Sequence, residues 1–219
     1  MTYFPFFMDV EDKRFLIIGG GAVAKEKVSR LRQFTDNISV IAPKTDIGEV
    51  CVKRKHFEES DLEEADICIC AAGDRELDLR VAKLCKERGI PVNVADAAEL
   101  CTFIFPALVK RGDLVIGITT SGTSPAYASL LRSQIEEGLP ADIEKFLDLM
   151  GEIRDLVPCL VSDPKERKEI YKRILSDLLS EGGAAAGATA GSITEKYISN
   201  AQISEITQMK DPGGGDQDG

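Results

Sequence analysis

Residues 15–24 constrain this chain more than any other stretch: Phe15, Leu16, Ile17 and Ile18 are consecutive apolar residues, followed by Gly19, Gly20, Gly21, Ala22, Val23 and Ala24. Such a run reads as a buried strand that breaks into a tight turn and opens a helix over residues 23–34. In that setting the pattern G-x-G-x-x-A has a mechanical meaning. Gly19 permits the turn, Gly21 lets a pyrophosphate approach the backbone, and Ala24 lets the helix lie close to the strand. The free N–H groups at the helix start then face the phosphates of a dinucleotide.

The rest of the chain extends this unit. Residues 38–42 read as a second strand closed by Pro43, and residues 66–72, with Ile67, Cys68, Ile69 and Cys70, as a parallel strand buried on both faces. Gly73 and Asp74 form a turn before a helix over residues 75–88, Gly89 caps it, and residues 90–94 make a fourth strand. Alternating strands and helices predict an α/β, Rossmann-like doubly wound parallel sheet over residues 1–112.

The pattern then changes. Residues 103–109 and 114–119 are apolar, β-branched segments joined by Lys110, Arg111, Gly112 and Asp113, as in a hairpin. Ser124 and Pro125 make an N-cap and first-turn pair for a helix over residues 126–137. Beyond Pro140 the periodicity is helical. One stripe runs through Ile143, Phe146, Leu147, Met150, Ile153 and Val157, a second through Ile170, Ile174, Leu175, Leu178 and Leu179. Residues 182–191 and 211–219 are Gly-rich and predicted to be flexible, with a marginal helix over residues 193–209 between them.

Composition narrows the function. A net charge of −10 opposes binding to a nucleic acid backbone, although a local cationic site for a small polyanion is compatible with it. No apolar run is long enough for a membrane span and residues 1–9 lack a basic leader, so a soluble, cytoplasmic protein is expected. The six cysteines include no C-x-x-C pair and read as buried free thiols. The single His56 lies among charged residues and reads as solvent-facing, so no metal site is expected.

In a doubly wound sheet the ligand lies beyond the carboxyl ends of the strands. This selects residues 19–23, Pro43, Lys44, Gly73, Asp74 and residues 93–96. Asp96, two residues after Val94, has two readings: it faces the nicotinamide end of a dinucleotide, or it caps the turn that follows. The segment Ser121, Gly122, Thr123, Ser124 likewise either caps its helix or adds anion binding to capping. The acidic residue expected for an adenosine ribose is missing, since Ala42, Pro43 and Lys44 occupy its place. Backbone groups, Lys44 or Thr45 would then meet the ribose, leaving NAD and NADP both open.

These motifs, in order, resemble the siroheme-synthase N-terminal module, the precorrin-2 dehydrogenase family. The resemblance rests on Tyr3-Phe4-Pro5-Phe6-Phe7, the glycine turn through Lys27, Ala42-Pro43, Ala71-Ala72-Gly73-Asp74, Val92-Asn93-Val94-Ala95-Asp96, Phe103-Ile104-Phe105-Pro106-Ala107 and Thr120-Ser121-Gly122-Thr123-Ser124-Pro125-Ala126. It spans residues 3–137, and Gly73 departs from the threonine frequent in relatives.

The resemblance implies an NAD-binding Rossmann domain at 1–112, a small α+β dimerisation segment at 113–140, a helical domain at 141–181 and a tail at 182–219. It implies NAD as cofactor, Ala22, Val23, Pro43 and Lys44 as its contacts, Asp96 as catalytic residue and Ser121 to Ser124 as a substrate-side loop. The implied reaction is oxidation of precorrin-2 to sirohydrochlorin by a homodimer, with Fe2+ insertion into the product left open. Cations such as Lys110, Arg111 or Arg132 would help hold the substrate carboxylates. The rival reading is a non-enzymatic dinucleotide-sensing or tetrapyrrole-binding dimer.

Overall fold

The computed structural model describes residues 3–180 and 189–198. The chain divides into two units, Met1–Ala107 with Ile118–Ser129, and Leu108–Gly117 with Leu130–Gly219.

In the first unit, strands β1 (Phe15–Ile18), β2 (Ile38–Ile41), β3 (Cys51–Lys53), β4 (Ile67–Cys70) and β5 (Val92–Val94) form one sheet in the order β3-β2-β1-β4-β5. All four pairings are parallel, and Ile17 stands opposite Val40 on one side and Ile69 on the other. Every residue of β1 and β4 is buried, as the unbroken apolar runs require. Alternate residues serve opposite layers. Phe15 and Ile17 pack with Ala24, Val28 and Leu31 of helix α1 (Ala22–Leu31), whereas Leu16 and Ile18 pack with Val81, Ala82 and Cys85 of helix α2 (Arg75–Arg88).

The order reverses between β1 and β4, since β2 and β3 lie to one side and β5 to the other. That reversal opens a crevice at the carboxyl ends of β1 and β4. At their other ends the same strands are clasped by Arg14 and Asp66. The Arg14 backbone N–H and Nε both donate to Asp66 Oδ2, at 2.9 and 3.0 Å, and Nη2 donates to Oδ1 at 3.1 Å. These hydrogen bonds hold the Asp66 carboxyl down at about 2.

Strand β3 lies outside the sequence reading. It has three residues on a sheet edge, Cys51 is exposed, and the adjoining Lys53, Arg54 and Lys55 hide any apolar period. The cysteine reading also needs correction. Cys68, Cys70 and Cys85 are buried free thiols, but Cys51 and Cys159 are exposed and Cys101 is half-buried. His56 is exposed, as expected.

Strands β6 (Ala107–Arg111) and β7 (Leu114–Ile118) make a separate two-stranded sheet joined through Gly112 and Asp113, and helix α3 (Pro125–Gly138) follows. Strand β6 begins four residues later than the apolar run from residue 103, because Phe103 and Phe105 pack on the Rossmann core instead of pairing.

Helices α4 (Ile143–Leu160), α5 (Pro164–Ser180) and α6 (Ala190–Tyr197) enclose a core of Phe146, Ile153, Val157, Ile170, Ile174 and Ile193. Leu175, assigned to the second stripe, is 40% exposed. Helix α6 starts at Ala190 because Thr189 forms a capping box with Ser192, so the expected flexible segment ends earlier than residue 191. Residues 182–188 and 199–219 of the expected tail lie outside the described residues.

Two stability measurements follow. Ile17 is fully buried against both neighbouring strands, so Ile17→Ala should lower the urea-derived unfolding free energy by about 2–5 kcal/mol. The Asp66 carboxyl is depressed in the folded chain. The clasp therefore adds stability above the unfolded-state value of about 4 and loses it as pH falls through about 2. Solvent reaches both side chains, which screens the pair and keeps the effect small. Asp66→Asn should thus be less stable than the native chain at neutral pH, and the gap should close between about pH 4 and pH 2 in acid titrations.

Candidate functional site

The glycine turn is held by contacts that tolerate no side chain. Gly19 has φ +125°, and a Cβ there would overlap the Ala71 carbonyl at the end of β4. A Cβ on Gly20 would sit 2.5 Å from the Lys44 carbonyl oxygen, so this glycine is the one that brings the β2 loop against the turn. Thr45 reinforces the approach by donating its hydroxyl to the Gly20 carbonyl at 3.1 Å. Gly21 differs: a Cβ there would meet nothing within 4 Å. It is the N-cap of α1 without a side-chain cap, and the first turn carries no acidic residue. Ala24 is fully buried beneath this turn, as its role in close packing requires.

Gly21, Ala22 and Val23 form one wall of a cleft of about 480 Å3. Ala71, Ala72 and Gly73 after β4, and Ala95, Asp96 and Ala97 after β5, complete the crevice expected at the switch point. Its volume falls within the usual range for ligand pockets, about 300–1,000 Å3. An open glycine backbone, an uncapped helix start and adjoining carboxyl strand ends fit a dinucleotide, with its pyrophosphate against Gly21 and Ala22.

Asp96 is exposed in this cleft with φ +58°, a left-handed conformation that aspartate tolerates better than most residues. Its side chain makes no hydrogen bond or ion pair among the described residues, and the cap of the following turn is Ala97. The geometry thus favours the cleft reading of Asp96 over the capping one. Asn93, together with Cys101 and Thr102, to which the sequence reading gave no role at the site, holds its loop. Val94 N–H donates to Cys101 Sγ at 3.1 Å, Asn93 Nδ2 donates to the Phe103 carbonyl at 3.1 Å, and Val92 N–H donates to Thr102 Oγ1 at 2.7 Å. Burial pushes the Cys101 thiol up, which keeps its proton available for the Val94 and Ala97 carbonyls.

Asp78 is a further unforeseen lining residue. Only 7% exposed, it accepts a hydrogen bond from the Cys70 thiol at 3.1 Å, and burial pushes that thiol well up. Across the cleft mouth Arg75 pairs with Glu99 at 2.8 Å. Lys27, half-buried, places its Nζ 4.4 Å from the Phe105 ring centroid. Burial lowers its pKa, partly offset by Glu26 and Asp96.

The other expected residues do not line this cleft. Pro43 and Lys44 are exposed beside the glycine turn at the end of β2. In the loop before α3, Ser121 N–H donates to Thr119 Oγ1 and Ser124 N–H to Thr120 Oγ1, each at 3.0 Å, while Ser124 Oγ accepts from Tyr127 N–H at 3.3 Å. Ser124 therefore caps α3, and with Thr123 N–H donating to the Thr120 carbonyl at 3.0 Å, three of the loop's N–H groups are spent internally. Ser121 and Gly122 carry φ of +54° and +86°, while the hydroxyls of Ser121 and Thr123 stay exposed. Lys110 donates to the Gly112 carbonyl at 2.7 Å, and Arg111 and Arg132 share Glu136, so each has a partner on the protein.

Gly19 and Gly21 make opposite predictions. Gly19→Ala combines a forbidden φ with a backbone overlap and should cost several kcal/mol, about 3 or more, in urea unfolding. Gly21→Ala should leave the midpoint nearly unchanged but weaken NAD binding at least tenfold in calorimetric titration, because its methyl enters the open cleft.

Comparison with known proteins agrees with this geometry. Residues 6–107 match a family model described as putative NAD(P)-binding, and residues 111–137 match the sirohaem biosynthesis protein central model. A siroheme synthase of Thioalkalivibrio sulfidiphilus is 35% identical over 189 residues, covering 83% of this chain and 39% of the relative. Those of Methylococcus capsulatus and Pseudomonas entomophila are 34% and 30% identical, covering 87% and 100% of this chain and 41% and 49% of theirs. The chain thus spans between two fifths and half the length of these curated relatives. The solved structure of SirC, precorrin-2 dehydrogenase, superposes with a TM-score of 0.68 at 20% identity, covering 94% of this chain and all of that one, a likeness of fold. The NAD(P)-binding match, the sirohaem central match that follows it and these relatives make the chain a homologue of siroheme synthases over the part of their length that it spans.

Proposed function

We propose that the chain is an NAD-dependent dehydrogenase that oxidises precorrin-2 to sirohydrochlorin in siroheme biosynthesis. The observation that carries this reading is the meeting, in one cleft, of the open helix start at Gly21 with the unpaired carboxylate of Asp96. NAD, when bound there, would supply the two-electron acceptor for a hydride of the macrocycle. The chain's own residues do the rest. N–H groups of Ala22 and Val23 hold the pyrophosphate, Pro43 and Lys44 flank the adenosine end, and Asp96 accepts the proton that leaves with the hydride. Electrons and protons balance, since the substrate loses two hydrogens, one as hydride and one as H+.

The exposed hydroxyls of Ser121 and Thr123, with Gly122 and the Ser124 cap behind them, are assigned to the substrate side, where they would meet carboxylate groups. We further propose ferrous iron as a second substrate. The macrocycle's nitrogens would ligate it and Asp96 would receive the protons they release. Association into a homodimer is supported by Tyr127 and Leu130 on α3, which are 54% and 52% exposed. No helix among the described residues is long and apolar enough to cross a membrane, which accords with a cytoplasmic location.

The test is an anaerobic assay of the purified chain with precorrin-2 and NAD, following the absorbance of reduced nicotinamide. Asp96→Ala should lower turnover by about 10²- to 10⁴-fold with NAD affinity nearly intact, as expected for loss of a general base. Unchanged turnover would remove Asp96 from the mechanism. A wild-type chain that binds NAD but never reduces it would favour the sensor reading. The same assay with NADP decides the choice of cofactor.

A further inference from the structure

Helices α4 and α5 of the second unit border a groove of about 550 Å3 that shares no lining residue with the cleft above. Its floor is apolar, with Met150, Tyr171 and Leu175. Around it stand four cations, Arg154, Arg167, Lys168 and Lys172. This is a dense cationic ring for a chain whose net charge is −10.

The ring is only lightly neutralised. Lys172 pairs with Glu169 at 2.8 Å, with both side chains more than half exposed, so that pair is weak. Arg154 and Lys168 form no ion pair among the described residues. Arg167 donates through Nη2 to the Ser162 carbonyl at 3.1 Å, yet its Nε is buried with no hydrogen-bond partner among the described residues. A buried N–H left unpaired costs about 1–3 kcal/mol, and such groups in native proteins call for an explanation. Leu175 remains 40% exposed although its neighbour Ile174 is fully buried, so the floor stays open. A ligand that suits this groove carries an apolar face for Met150 and Leu175 and several carboxylates for the rim.

We propose that the α4–α5 groove binds a planar macrocyclic polycarboxylate as a second site on the chain, taking substrate or product in addition to the reacting cleft. The choice of a macrocycle rests on the tetrapyrrole reading above, whereas the demand for an amphipathic polyanion comes from the groove alone. Charge complementarity favours a polyanion, and the apolar lining favours one with an apolar face. An acidic protein partner would need the same rim but would be indifferent to a macrocycle.

The chain contains no tryptophan, so Leu175→Trp places a lone indole in the groove wall at an already exposed position. Titration with uroporphyrin I, a stable octacarboxylate, should quench this indole, and the affinity should fall several-fold between low and high salt. Adding Lys168→Glu and Lys172→Glu should weaken binding at least tenfold. Asp96→Ala should leave it unchanged. Calorimetric titration of the otherwise native chain, with and without the two charge reversals, keeps the test independent of the indole and should show the loss of one class of site. The proposal is overturned if uroporphyrin fails to quench, or if charge reversal leaves both readouts unaltered. It is overturned equally if an acidic peptide binds the groove and uroporphyrin does not. Failure of NAD reduction in a chain that still binds uroporphyrin here would sink the dehydrogenase reading and spare the groove; the converse pattern would sink the groove alone.

Discussion

At Gly19 the backbone leaving β1 passes so close to the Ala71 carbonyl at the end of β4 that no side chain fits between them. One residue later, Gly20 repeats the approach against the Lys44 carbonyl beyond β2. Three strand ends are thereby drawn together at the glycine turn, and the cleft is the space left beside it. If that approach were relaxed, α1 could not start where it does, Ala24 would lose its buried seat and the open helix terminus would no longer face the ends of β4 and β5. The fold and the site therefore depend on the same few backbone contacts.

The Asp96 side of the cleft is organised differently. Asp96 sits in a left-handed conformation on a loop whose position is set by hydrogen bonds to the segment running past β5. A half-buried thiol, an amide and a hydroxyl tie that segment down, and none of them faces the cleft. Such a loop can present an unpaired carboxylate without losing its shape, because its backbone groups are satisfied elsewhere. The buried Asp78, with the Cys70 thiol as its neighbour, adds a second carboxyl to the wall.

Much of this was legible in residue order. The all-apolar runs at Phe15–Ile18 and Ile67–Cys70 announce strands buried on both faces, and the glycines between strand and helix announce the turn. Edge strand β3 was not legible, since a short edge strand with one solvent-facing side has no period to detect. Leu175 matched a helical stripe yet lies in an open groove, because periodicity gives the face of a helix but not whether a neighbour covers it. Cys101 and Thr102 carry no motif, and although Asn93 stands in one, the roles of all three exist only through partners that the fold brings beside β5.

The amino-acid sequence by itself determined the Rossmann-like sheet, the glycine turn and the position of Asp96 after a strand, because burial and backbone freedom are local properties of residue type. Tertiary structure decided which glycine is pinned by packing and which faces open space, since a Cβ clash depends on atoms from other strands. It likewise decided that Asp96 and Asp78 share one cleft with Gly21 while the loop from Ser121 to Ser124 lines no part of it. Distances between elements follow from packing, and no spacing along the chain encodes them.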